Sequence, residues 1–371
     1  MKKLLSLALA SSLTCGVVMA KEIKVGAVMP MSGPLAAYGQ VTHLGLELAQ
    51  KLQPTLKNGD TIKIVLLDNK GDKVETANAT TRLISSDKVV AVLGALTSTN
   101  TAQTIAIADK KKIPVIAAVA TNDKLTARRT FANRVCFTDS FQGEVVANYA
   151  IEQGYKTAAV VVDQAQVYSL GLSKAFQKAF KSKGGKITKK IKVTSGDKDF
   201  KAVVSQIKQI NPDFMFLPLY HPEASMIARQ SKQLGLDKPM FSGDGVANQT
   251  FIDLGGKSVE GYMFTDFFDS TNPPSKTSAD FVAFHEKETG NKEMNSFTAL
   301  GADTYNILID AMNRCEDPTN SICINEQIKK TTNFDGVSGK ISINAEGNAT
   351  RSAVIKEIKS GKAGFKATVN P

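Results

Sequence analysis

The chain has 371 residues, with 46 Lys and Arg against 35 Asp and Glu, a formal net charge of +11 and no tryptophan. That length is more than one hydrophobic core usually serves, so two domains are expected, and an apolar content of 42% excludes a disordered chain. A basic balance can serve nucleic acid, but the lysines are scattered. Their densest run, Lys181, Lys183, Lys186, Lys189, Lys190 and Lys192, falls where a helix gives way to a strand and reads as a solvated rim, with no nucleic-acid partner expected.

The N-terminus reads as an export signal over residues 1–20. Lys2 and Lys3 form a charged start, Leu4 to Leu13 a short apolar core, and Val18-Met19-Ala20 a small-residue cleavage site, so cutting is expected after Ala20. Cys15 offers lipidation as the alternative, although Ser12-Leu13-Thr14 lacks the leucine a lipobox usually carries three residues upstream. The remaining chain has no apolar stretch long enough to span a bilayer and is expected in the periplasm.

After the signal, Ile23 to Val28 reads as a strand, the loop Pro30 to Gly39 follows, and Gln40 to Leu52 reads as a helix. Strands at Ile62–Leu67, Val89–Leu93 and Ile113–Ala118 then alternate with helices at Val74–Ser86 and Asn100–Lys111. Past Asp139 the pattern restarts. Helices at Gln142–Glu152, Leu170–Ser182, Phe200–Ile210 and Glu223–Leu234 interleave with strands at Thr157–Val162, Ile187–Val193, Phe214–Leu219 and Met240–Ser242. Such alternation with short loops predicts parallel sheets covered by helices, here two α/β lobes. Helices at Ala279–Glu288 and Ala302–Arg314 and a strand-turn-strand end over Gly339 to Ile358 close the chain. A late segment must return to the first lobe, since the second would otherwise be much the larger. The division expected is 21–139 plus 268–347 for the first lobe and 140–267 plus 348–371 for the second.

Cys315 and Cys323 bracket a turn-rich stretch and, in an oxidising compartment, are expected to form a disulfide. Cys136, in the apolar run Arg134-Val135-Cys136-Phe137, is expected to be a buried thiol.

Ligands of open parallel sheets bind beyond the carboxyl ends of the strands. The loop Gly94 to Asn100 leads into a helix and presents Ser98 and Thr99, suited to holding a carboxylate at a helix N-terminus or serving simply as caps. The next loop offers the Val119 carbonyl and Thr121. Later loops carry Tyr168, Tyr220 and Asp244, and with Tyr38 the tyrosines suggest an aromatic-walled pocket. Asp244 could face an ammonium or cap the next helix. The three histidines lack metal spacing, and there is no nucleophile elbow, dinucleotide loop or Walker loop, so neither an enzyme nor a cofactor is expected.

Several runs resemble the branched-chain amino-acid (Leu/Ile/Val) periplasmic binding proteins of ABC transporters. They are Ile23 to Pro34 with Tyr38-Gly39, Leu67-Asp68-Asn69, Val92 to Ser98, Ile113 to Ile116, Ala120-Thr121-Asn122, Arg134 to Asp139 with Gln142-Gly143, Gly196 to Phe200 and Tyr220 to Glu223. The resemblance implies the type I periplasmic-binding fold, two Rossmann-like lobes joined by a three-strand hinge, with an α-amino acid trapped between them and an inner-membrane permease as partner to a monomer. It implies ligand contacts from Ser98 and Thr121 to the carboxylate, from Val119 and Asp244 to the ammonium, and from Tyr38, Tyr168, Tyr220 and Phe297 around the rest. Asp244 stands where the family's best-studied members have glutamate. A carrier for an amide or a small aromatic or aliphatic carboxylate is the alternative.

Overall fold

The structure is a computed structural model describing residues 20–371; the expected export signal, including Cys15, lies outside the described residues except for Ala20. The chain opens with β1 (Glu22–Met29), α1 (Ala36–Leu52), β2 (Thr61–Asp68), α2 (Lys73–Ser85), β3 (Val92–Gly94), α3 (Ser98–Ala108), β4 (Val115–Ala117) and β5 (Ala132–Arg134). These strands make an all-parallel sheet in the order β2-β1-β3-β4-β5. The central strands β3 and β4 are wholly buried, because helices cover both faces.

The second run comprises α4 (Asp139–Glu152), β6 (Thr157–Asp163), α5 (Val167–Ser182), β7 (Lys186–Val193), α6 (Lys201–Ile210), β8 (Phe214–Phe216), α7 (His221–Gln233), β9 (Met240–Ser242), α8 (Gln249–Gly255) and β10 (Met263–Asp266). The chain then adds α9 (Lys276–Thr289), α10 (Ser296–Asn313), α11 (Ser321–Lys329), β11 (Phe334–Gly336), β12 (Gly339–Ile343), β13 (Ala349–Thr350), β14 (Ala353–Lys359) and β15 (Lys362–Val369). The second sheet runs β15-β14-β10-β9-β8-β6-β7.

α10 returns to the first sheet's side by packing on α1. A Cβ at Gly45 would lie 2.0 Å from the Thr298 carbonyl oxygen, and one at Gly301 would lie 2.2 Å from that of Thr42, so the two backbones touch because each helix presents a glycine. The Thr298 hydroxyl donates to the Val41 carbonyl at 2.9 Å, and α10 is buried nearly all round.

The chain leaves the first sheet for the second side near 135–138, leaves the second sheet near 267–275, and joins it again at 351–352, between β13 and β14. The buried Arg351 guanidinium gathers these passages, donating to the Phe267 carbonyl at 2.8 Å, the Ser338 carbonyl at 3.0 Å and the Val135 carbonyl at 3.5 Å. Beside it Lys356 pairs with Asp266 at 3.0 Å and Asp269 at 3.2 Å.

Three sequence readings are corrected. The second sheet is mixed, since β14 pairs antiparallel with both β10 and β15. The expected strand-turn-strand over Gly339 to Ile358 is not one hairpin: β12 sits in a small sheet with β11 and β13, whereas β14 joins the second sheet. The third passage separates them. Helices also begin earlier than expected, as at Ala36, Ser98, Asp139, Val167 and Ser296, because their first turns mix buried polar, small and aromatic residues, such as Ser98, Asn100, Asp139 and Tyr168, and so show no clean apolar period. Cys315 and Cys323 are bonded, with Cα atoms 6.0 Å apart. α11, which the sequence reading passed over, starts at this loop and is capped by the Asn320 side chain. Cys136 is a buried free thiol pushed up to about 12 by burial.

Candidate functional site

A pocket lies between the carboxyl edges of the two sheets, drawn in to a free volume of about 10 Å³, the room of a single water. Seven of the eight residues expected at the ligand line it: Tyr38 and Ser98 from the first turns of α1 and α3, Val119 from the loop after β4, Tyr168 from the first turn of α5, Tyr220 and Asp244 from the segments after β8 and β9, and Phe297 from the start of α10. Thr121 lies buried behind them and is not part of the lining. Leu96, Thr97 and Gly245 complete the wall. Leu96 holds a left-handed φ of 72°, a conformation uncommon outside glycine, and this turn aims α3 at the cavity.

On the first-sheet side the polar groups are neutral: the hydroxyls and N–H groups of the α3 start and the backbone of Val119. Thr97, not Ser98 or Thr99, caps α3, its hydroxyl accepting from the Asn100 N–H at 3.3 Å. That leaves Ser98 and Thr99 in the first helical turn, where N–H groups and the helix dipole favour an anion. The Ser98 N–H faces the Tyr220 hydroxyl. The Ser98 hydroxyl accepts from the Asn122 N–H at 3.3 Å. The Thr121 hydroxyl is buried with no hydrogen-bond partner; the Asp139 carboxyl lies beside it, outside hydrogen-bond geometry.

On the second-sheet side the groups are acids. Asp244 is 4% exposed and begins a single 3-10 turn. The Gln142 side-chain amide donates to it at 2.9 Å and to Asp139 at 3.0 Å. The Thr265 hydroxyl and the Asp244 N–H donate to the other end of the same amide, fixing its orientation. Burial pushes the Asp244 carboxyl up to about 7, and burial also raises that of Asp139 well above the carboxylate range. Among the described residues, neither acid forms an ion pair. Gln142 and Asp139 were not singled out from the sequence, although both lie in the run Arg134 to Gly143 that carries the resemblance; their place at the site depends on α4 folding against β10.

Aromatic rings close the rest. Tyr38 lies 5.4 Å from Phe297 and 5.9 Å from Tyr220 between ring centroids, and Tyr168 stacks on Tyr220 at 5.0 Å. The Tyr38 hydroxyl crosses the cleft, donating to the Gly245 carbonyl at 2.5 Å and accepting from the His221 N–H at 3.3 Å. The Tyr168 hydroxyl accepts from the Gly245 N–H at 3.1 Å. Anion-holding donors at one wall, acids at the other and rings between match the two charges and the apolar tail of a small zwitterion, which needs the walls to part before it can enter.

Known proteins share this architecture. The leucine binding protein LivK of Thermotoga maritima superposes with a TM-score of 0.92 at 36% identity, covering 94% of this chain and 99% of that one. The branched-chain amino acid transporter substrate binding protein LivJ of Streptococcus pneumoniae, solved with isoleucine, gives a TM-score of 0.88 at 31% identity over 95% of this chain and 100% of that one. The Leu/Ile/Val/Thr-binding protein of Salmonella typhimurium is 30% identical over 89% of each chain. The sequence pattern of the periplasmic binding proteins, which capture solutes and are not enzymes, matches residues 22–363, and with relatives at this identity over most of its length the chain belongs to that family.

Proposed function

We propose that this protein is the substrate-binding component of an ABC importer. It captures an α-amino acid with an aliphatic side chain in the cleft between its sheets and delivers it to an inner-membrane permease. In this reading an export signal cut after Ala20 sends a monomer to the periplasm. There a first lobe of 21–139 plus 268–347 and a second of 140–267 plus 348–371 close around the ligand. The ligand carboxylate meets Ser98, Thr121 and the N-terminus of α3. Its ammonium meets the Val119 carbonyl and Asp244, and its side chain lies among Tyr38, Tyr168, Tyr220 and Phe297. The names of relatives that bind leucine, isoleucine and valine support the side-chain class.

The observation that carries the proposal is the buried acid pair Asp139 and Asp244, tied by one amide and without a cationic partner among the described residues. A carboxylate held out of water is stable when a cation joins it, and an ammonium supplies that charge. An amide or a benzoate-like acid carries none, so the pair disfavours such solutes. A thermal-shift screen tests this, because a ligand bound only by the folded form raises its melting temperature. Leucine, isoleucine or valine should raise it, and deaminated analogues such as 4-methylpentanoate should not. Stabilisation by the carboxylic acids or amides without the amino acids would overturn the reading.

A further inference from the structure

Outside the cavity, the first turn of α5 is held by the opposite side of the cleft. Gln166 precedes this helix and gives it no side-chain cap. The Thr99 hydroxyl, on α3, takes that place: it accepts from the Val167 N–H at 3.2 Å and donates to the Gln166 side-chain oxygen at 2.8 Å. The Val167 carbonyl in turn accepts from the Asn122 amide at 2.8 Å. Both polar groups of one peptide segment are therefore satisfied from across the cleft. Asn122 is itself held rigidly, since its backbone carbonyl accepts from the buried Arg134 guanidinium at 2.8 Å. Gln166 is tethered on its own side by a bond from its amide to the Ser195 hydroxyl at 3.0 Å.

Gly171, one turn along α5, lets the two surfaces come this close. A Cβ there would lie 2.2 Å from the Asn122 amide nitrogen and 2.8 Å from an Asp139 carboxylate oxygen. The backbone there is ordinary helix, so within α5 alone alanine would be the better residue. Glycine at this position serves the approach of Asn122 from the opposite side and of Asp139 on the neighbouring α4, and not the helix itself.

We infer that Thr99, Asn122 and Gly171 form a closure latch that sets how tightly any ligand is held without choosing among ligands. This rests on the hinged capture proposed above. A helix N-terminus that is capped only when the cleft is shut favours the shut form, and a ligand that binds the shut form gains affinity in proportion to its population. None of the three residues lines the cavity, so none discriminates between side chains.

The test uses the signal-less chain and two variants, Thr99→Val, which keeps shape and removes the hydroxyl, and Gly171→Ala. Calorimetric titration with leucine, isoleucine and valine should show both variants weaker by roughly fivefold to thirtyfold for every ligand, the equilibrium worth of a cap and a hydrogen bond. The ratios among ligands should stay within about twofold. Ligand-free melting temperatures close to the unmodified protein show that the variants fold. Unchanged affinities, or ratios altered by more than about tenfold, overturn the latch.

A spin-label pair at Lys73→Cys and Lys174→Cys in a Cys136→Ala background reads closure without any ligand. If the unmodified protein binds no amino acid, the proposed function fails while the labels still decide the latch. A short-distance population that shrinks in both variants supports it, and identical distributions overturn it.

Discussion

The two walls of the cleft are built from the same strand-loop-helix unit, yet they carry charge in opposite ways. The first-sheet wall holds no ionised side chain against the cavity, only hydroxyls, the Val119 backbone, Leu96 and the N–H groups at the start of α3. The second-sheet wall holds Asp244 against the cavity, with Asp139 behind it on the same amide. Helix termini and hydroxyls stabilise an anion cheaply because they are neutral and need no counter-ion when the site is empty. A buried carboxylate is costly when the site is empty, and burial holds Asp244 near neutrality for that reason. Ammonium recognition should therefore be steep and pH-dependent, and carboxylate recognition shallow and spread over several donors.

The largest effect should come from the acid wall. Asp244→Asn should weaken amino-acid binding roughly thirtyfold or more, the cost of removing one partner of a buried charge pair. Discrimination between leucine and 4-methylpentanoate should fall with it. Calorimetry on both ligands measures this, and an affinity within threefold of the unmodified protein would sink the assignment of the ammonium to Asp244.

The pH profile sharpens the same point. Because the folded ligand-free carboxyl titrates at about 7, above its ordinary value, and an ammonium binds its ionised form, affinity should be full above about 7. It should fall as pH drops below that, by up to about tenfold per unit, until the lower value the carboxylate takes beside a cation is reached. Asp244→Asn should flatten the profile. A slope that survives this substitution would move the titration to another group.

On the other wall, Thr121→Val should cost roughly tenfold, since its buried and unpartnered hydroxyl would lose a bond to a charged ligand group. Ser98→Ala should cost least, about fivefold, because the N–H groups of the same turn remain. Leucinamide separates the walls: its affinity should be nearly unmoved by Ser98→Ala and lowered by Asp244→Asn. Equal losses for leucine and leucinamide in Ser98→Ala would break the comparison.

By itself the sequence determined the alternating α/β architecture, the two runs of it, the Cys315–Cys323 bridge and the loops in which to look. Apolar period and turn residues report local faces directly, and strand-to-helix loops carry the polar groups of such folds. The place of Ser98, Tyr168 and Asp244 at the pocket was legible for this reason, with the resemblance supplying the roles proposed for them. Only the tertiary structure decided what depends on distant partners. It brought Gln142 of α4 102 positions away against Asp244, and it set Thr99 as the cap of α5. It also sent β14 and β15 into the second sheet as an antiparallel pair. A glutamine in a polar first turn reads the same whether it faces solvent or clamps an acid, and a helix without its own cap gives no sign of which chain segment supplies one. Those choices are made by packing between elements far apart in the chain, where local propensity is silent.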